Sequence, residues 1–521
     1  MERRATLLLV VFALAVVGFL PLLAILGKSV LVDGKWTLSV YEHLFSNPAQ
    51  YWTPVRNSLT LAALTAGCAV LLGVPLGLLL AKTDVPLRRP LTVTLCVPLL
   101  LPPYILAICW FNTLSRLDWL TAAASFLFGL PGCLLVLVSA LMPGVIILTM
   151  ICLHAVNPRH EEAGRLIAGW RPVLTNITLP MISRGIAFAG LLVFLLALGE
   201  VGVPMFLRYQ VFPVETLTQF SAFYDFGAAA AAATPLLAVT LLLLAFERRY
   251  LREKTYELLA TTPDKKMLVI PLGRWRGPAA LAVILLAGAT VAVPLFSLVL
   301  SSFSPFAYAE ALGKAAGSIV RSVAFACIGA TALALLGFFC GYLIRYRTFG
   351  LWRAVDTLTL LLFTLPGTVI GIGLVALWNR PGTAWLYSSA SIVILAYVAQ
   401  YSALATRITV ATLANVPRSL EEAGQTVGAP WFARVWHIIV PAALPGIMTA
   451  WIVCFIFCMR DLGASMLVYP AGEDTLPVRI FTLMANGAPS LVAALCVILV
   501  AVTVIPLGVL GVLMGTLNSR R

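Results

Sequence analysis

Two pairs of adjacent carboxylates, Glu161-Glu162 and Glu421-Glu422, are each followed by Ala-Gly, as Ala163-Gly164 and Ala423-Gly424. The pairs lie 260 residues apart in a chain of 521, so each occupies the same place in its half. Both are charged islands in an otherwise apolar sequence. A duplicated polar helix between membrane spans suits docking of another protein. The plainer alternative for either copy alone is a well-capped interfacial helix with solvated glutamates, and two copies in register argue against it. Two further acids, Glu200 and Asp461, are also paired, at an offset of 261, and lie late in apolar runs. A carboxylate near hydrocarbon costs about 2.5–3.5 kcal/mol on insertion scales, so it must face protein or water. Such acids could flank a translocation path and offer oxygen ligands or attraction to a cationic substrate. Alternatively, Asp461 pairs with the adjacent Arg460 and Glu200 simply meets water.

Other chemistry is missing. There are four histidines, two of them, His154 and His160, beside the first acidic pair, and no nucleophile–His–acid arrangement. The ten cysteines fall almost all inside apolar runs, where they behave as small apolar residues. Cys454 and Cys458 share a helix face but have no nearby histidine, so neither a metal site nor a disulfide framework is expected. Gly27-Lys28-Ser29 is not a phosphate-binding loop, because the glycine required at position 22 is Leu22. No cofactor is expected, and ATP hydrolysis is not expected of this chain.

The elements that carry these residues are membrane helices. The chain is 61% hydrophobic and 11% charged, too apolar for a soluble protein of this size. Its apolar runs are long enough for helices rather than barrel strands. Twelve spans are read at 6–27, 58–81, 91–113, 132–153, 185–207, 226–246, 277–300, 322–344, 354–378, 389–410, 446–468 and 489–515. With both termini in the cytoplasm, 25 of the 35 Lys and Arg residues fall on the cytoplasmic side, as the positive-inside rule requires. The net charge of +14 is therefore topological. Its spread over many segments argues against a nucleic-acid partner. Met1-Glu2-Arg3-Arg4 and the apolar run after it read as an uncleaved first span.

The halves match elsewhere too. Leu101-Pro102 pairs with Leu365-Pro366 and Arg56 with Arg321, at offsets of 264 and 265. Six spans per half make a parallel repeat about an axis along the membrane normal, with a pathway between the halves. The expected organisation is a first half at 1–246 with loop 154–184, a charged linker at 247–276, and a second half at 277–521 with loop 411–445. The linker reads as a solvated tether. Pro102 and Pro366 should kink the third and ninth spans, as a gate or for packing.

Within the loops, Asn157 should cap a helix opening at Pro158, and Ser419 with Glu422 fits a capping box. Ala and Gly after the glutamates leave a face with little bulk, open to close approach by another backbone. Gly428-Ala429-Pro430-Trp431 should turn the chain, and Pro441 marks re-entry into the membrane. The pattern resembles the permease subunits of binding-protein-dependent ABC importers, marked by Glu-Ala-Ala, three residues, Gly, then a spacer ending Ile-x-Leu-Pro. Here it runs from Glu422-Ala423-Gly424 through Gly428 to Ile438-Ile439-Val440-Pro441, and from Glu162-Ala163-Gly164 to Ile177-Thr178-Leu179-Pro180. Gly replaces the second Ala in both copies. The first copy is one residue shorter, with Ala168-Gly169-Trp170 at the turn.

The resemblance implies an all-α integral membrane protein of the type I importer permease fold, in the bacterial inner membrane. Each loop would be a coupling helix, one per copy of a separate ATPase subunit, and an extracytoplasmic binding protein would deliver substrate. The fused layout is similar to ferric-iron and thiamine permeases, with Asp461-Leu462-Gly463-Ala464 and Thr475-Leu476-Pro477-Val478-Arg479-Ile480 nearer the ferric-iron branch. Thiamine or another small solute is the substrate alternative. An ion-coupled secondary transporter is the alternative class, although it leaves the duplicated loops without a purpose.

Overall fold

The computed structural model describes residues 2–32, 35–37, 39, 41–42, 48–115, 126–221, 226–250, 268–347 and 350–519. Within the linker, Arg252, Lys254, Pro263 and Lys265-Lys266 lie outside the described residues. The described chain is helical apart from a two-residue antiparallel ladder, Leu31–Val32 with Lys35–Trp36, and a single bridge noted below. Among the described residues ten helices are long and apolar enough to cross a membrane, or twelve if each of two bent pairs counts as one span. The bends fall at the paired prolines. Arg88–Leu100 and Pro103–Ser115 meet at 105°, and Trp352–Thr364 and Gly367–Trp378 at 111°. These are breaks, larger than the expected kinks. Leu101 and Leu365, each preceding a proline, are both extended at ψ 143°, the conformation that clash with a proline ring imposes.

Prolines also explain a second irregularity. Among the described residues, five-residue stretches of π-helix occur at Ala15–Phe19, Leu174–Thr178, Gly288–Ala292 and Val435–Ile439. Each is followed by a residue and then a proline: Pro21, Pro180, Pro294 and Pro441. A helical proline lacks the N–H and crowds the carbonyl four residues back, and a widened turn accommodates both. The fifth and eleventh spans therefore run unbroken as Trp170–Leu198 and Trp431–Met459. They begin well before the expected 185 and 446, and Pro441 marks a widened turn inside a helix that is already under way. Arg171 at the start and Arg184 in the middle of the fifth, and Arg434 and His437 in the eleventh, interrupt the apolar pattern and hide where these helices begin.

The described chain forms two compact units, Met1–Thr53 with Phe212–Thr240 and Ser304–Arg521, and Pro54–Val211 with Leu241–Phe303. Their composition differs from the two sequence halves. In the larger unit the first span packs on second-half helices, Gly18 against Leu362 and Pro21 against Gly373. In the other, Val293–Ser301 packs on Pro103–Ser115.

Each unit has one tightly packed helix pair that matters for the site. A Cβ on Gly73 would lie 2.9 Å from that of Val145, and one on Gly77 2.9 Å from that of Thr149. In the other unit Gly337 and Gly341 press on Ala405 and Thr409 in the same way. This is small-xxx-small packing, which lets membrane helices approach closely where no hydrophobic effect drives them together. It fixes the helix ends that carry Lys82 and Tyr342.

Candidate functional site

The first loop begins after the Leu130–Ala155 span. Asn157 caps as expected, its side chain accepting from the Arg159 N–H at 3.2 Å, and Pro158 opens the helix Pro158–Ile167. The two glutamates of this helix part company. Glu161 is buried at 1% exposure, whereas Glu162 is exposed. Lys82 Nζ, also buried, donates to Glu161 Oε2 at 2.5 Å, and Thr178 Oγ1 donates to Oε1 at 2.8 Å. A buried ion pair of this kind holds position; breaking one partner leaves an uncompensated buried charge.

The second loop helix is Arg418–Thr426. The expected capping box is absent: Pro417 is the capping residue, with no side-chain hydrogen bond, and Ser419 already lies inside the helix. Glu421 is half-buried and accepts from Tyr342 OH at 2.8 Å, while Trp431 Nε1 donates to the same hydroxyl at 3.1 Å. The Arg3 guanidinium stands over the Tyr342 ring, 5.4 Å from its centroid. Lys82 precedes Glu161 by 79 residues, and Tyr342 precedes Glu421 by 79. The anchors are therefore equivalent positions of the repeat filled by different chemistry. The sequence reading missed both, although the shared spacing was available to find them.

The glycine face is not open to a partner as expected. A Cβ on Gly164 would lie 2.6 Å from Ile177 Cδ1, and one on Gly424 2.8 Å from Ile438 Cδ1. The glycines admit the protein's own following helix. What faces outward is Glu162, Ala163 and Ile167 in the first loop, and Glu422, Ala423 and Val427 in the second. Ile167 is 91% exposed and Val427 84%, an aliphatic side chain at the same register in each loop, and the first loop also exposes Leu166 at 90%. The turns differ as well. Gly428 has φ +76°, and Ala429 N–H closes on the Gly424 carbonyl at 3.1 Å, a glycine-requiring helix stop. Gly169 has φ −71° with nothing near a would-be Cβ, so it is not the counterpart of Gly428.

The four residues assigned to a path lie at helix breaks. Glu200 follows the end of Trp170–Leu198 and accepts from the N–H groups of Gly202 and Val203 at 3.0 and 3.4 Å, capping the short helix Gly202–Phe206. Asp461 is buried at 5% exposure and fully engaged. Tyr401 OH donates to Oδ1 at 2.7 Å, and Ser465 donates to Oδ2 through N–H and hydroxyl at 2.8 and 2.6 Å. Neither acid lies inside a span. Pro366 and Asp461 come together in one unit, since a Cβ on Gly367 would lie 2.8 Å from Ala464 N. Beside them Gln400 Nε2 donates to the Leu365 carbonyl at 3.0 Å, occupying the acceptor that the break exposes. In the other unit the helix after Pro102 meets the helix that Glu200 caps, through Phe111 and Phe206 at 6.0 Å. The sequence reading also missed a charge pair within the ninth and tenth spans, Arg407 Nη1 to Asp356 Oδ1 at 2.5 Å. Among the described residues no three His, Cys, Asp or Glu side chains could hold a metal ion together.

Both loops thus carry a polar helix held by its first glutamate and exposing its second, each leading into a long apolar helix. Residues 333–521 match the family described as the binding-protein-dependent transport system inner membrane component. The chain is 21% identical over 434 residues to a ferric transport system permease protein of Actinobacillus pleuropneumoniae, covering 78% of this chain and 63% of that one. It is 25% identical over 406 residues to an Fe(3+)-transport system permease protein of Haemophilus influenzae, covering 75% and 76%. Over 147 residues it is 34% identical to a Salmonella typhimurium permease protein named for 2-aminoethylphosphonate transport, covering 27% and 53%. The chain thus spans just under two thirds of the length of the first relative and about half of the third.

Proposed function

We propose that this chain is the permease subunit of an ATP-driven importer, with ferric iron as its substrate. Both loops face the cytoplasm, on the side where the basic residues concentrate, and both termini lie there. Two copies of a separate ATPase bind the loops, and an extracytoplasmic binding protein delivers the substrate. Glu162, Ala163 and Ile167 make one contact, and Glu422, Ala423 and Val427 the other. The observation that carries this reading is the exposed Glu-Ala-aliphatic set at one register in both loops, on helices whose inner glutamates are tied down. The breaks at Pro102 and Pro366, with Glu200 and Asp461, shape the translocation path. Asp461 supports the fold of that region rather than offering a free ligand, since both its oxygens already accept hydrogen bonds.

The names of the ferric relatives support iron. The phosphonate relative, matched over a shorter stretch, supports 2-aminoethylphosphonate as the second substrate to try. The test is co-purification with the ATPase, together with uptake. Glu162→Lys and Glu422→Lys should each lower both while leaving membrane insertion intact, and Val427→Asp should do the same. Full uptake and full ATPase recovery in the double Glu→Lys variant would overturn the docking assignment.

A further inference from the structure

The linker between the halves does more than tether them. Its final stretch is tied to the residues that follow the second span. Ile270 is buried and forms a parallel bridge with Thr83. Its N–H donates to the Lys82 carbonyl at 2.7 Å. The Leu272 N–H donates to Asp84 Oδ1 at 2.9 Å, and Arg276 Nε lies 4.0 Å from Asp84 Oδ2. The first residue of this contact, Lys82, is the one whose side chain holds Glu161.

We propose that residues 268–276 are a strap that positions the first loop helix. The strap fixes the backbone of Lys82, Lys82 fixes Glu161, and Glu161 fixes Pro158–Ile167. A lysine has a long, flexible stem, and locking its rotamers in one geometry costs conformational entropy. The Ile270 N–H holds the Lys82 carbonyl and the Leu272 N–H holds the Asp84 carboxylate two residues on, which confines that stem before it reaches Glu161. Ile270, Asp84 and Lys82 are therefore positioning residues for docking, a role whose functional weight rests on the proposed ATPase contact. The second loop has another arrangement: Tyr342 is a rigid ring, and it is Arg3, from the start of the chain, that stands over it. Strap and first loop form one lever, so a force on the linker reaches Glu162 and Ile167 without passing through the second loop.

Amide hydrogen exchange on the intact chain in lipid nanodiscs, without ATPase, tests the strap directly. Ile270→Pro removes the donor to Lys82, and Asp84→Ala removes the acceptor for Leu272. Each removes one hydrogen bond, about 1–1.5 kcal/mol, so exchange across residues 159–167 should rise about tenfold. Exchange across 418–427 should not change, and Ile270→Val and Asp84→Asn, which keep the donor and an acceptor, should restore the original rate. Unchanged exchange in the first loop overturns the proposal, as does an equal rise in both loops, which would mean general loosening. ATPase association is then measured on the same variants. A loosened first loop with undiminished association would leave the strap standing and remove the docking reading.

Discussion

The two loops are related copies whose helices share one register, yet each holds its inner glutamate by different means. In the first, Glu161 meets a buried ammonium and a threonine hydroxyl. In the second, Glu421 meets a neutral phenol that a tryptophan also engages. The substitution propagates. Lys82 cannot accept a hydrogen bond, and the Trp170 indole N–H is buried with no partner, whereas the Trp431 N–H has Tyr342. Trp170 instead takes Arg165 over its ring at 4.5 Å. A helix position can thus survive exchange of an ionic anchor for a neutral one, provided the exposed surface is kept. That surface is what a pair of identical partners would read.

The comparison breaks most sharply at Lys82. Lys82→Met strands Glu161 as an unpaired charge at 1% exposure, and loss of one member of a buried pair costs about 3–5 kcal/mol. Unfolding of the purified protein, followed by heat or exchange, should show that loss, concentrated in the first loop. Adding Glu161→Gln should recover most of it, because the stranded charge is gone. Tyr342→Phe, the matching change in the second loop, removes a hydrogen bond to a charged acceptor and should cost about 1.5–3 kcal/mol. If the two single variants lose equal stability, the anchors do not differ as the geometry says.

These residues show what the sequence could and could not reveal. Membrane class, span number and the duplicated loops were legible, because apolar length and charge spacing do not depend on tertiary contacts. The Asn157 cap was legible for the same reason, being set within three residues. The Ser419 cap was misread, since Pro417 begins the helix earlier and a capping-box pattern does not record which residue takes the extended conformation. Lys82 and Tyr342 lay hidden because each acts across 79 residues, and neither type signals a partner on its own. The inward direction of Gly164 and Gly424 was hidden too, because small residues suit an outside partner and an inside one equally. Asp356 and Arg407 were overlooked because a single charge in a long apolar run reads as a tolerated exception until its mate is seen across the helix interface.

The smallest expected difference concerns the turns. Gly428 lies in the left-handed region at φ +76°, where a side chain costs about 1–2 kcal/mol. Gly428→Ala should therefore loosen the end of Arg418–Thr426 by about that much, read as faster exchange at Val427, Gly428 and Ala429. Gly169 sits at φ −71° with open space where a Cβ would go. Gly169→Ala should change stability by less than about 0.5 kcal/mol, as surface substitutions away from special features do. The first loop stops its helix at Ala168, extended at φ −141°, ψ 162°, and needs no glycine to do so. A marked loss in Gly169→Ala would mean that the first turn also passes through a glycine-only conformation, and that the one-residue deletion left the two stops alike.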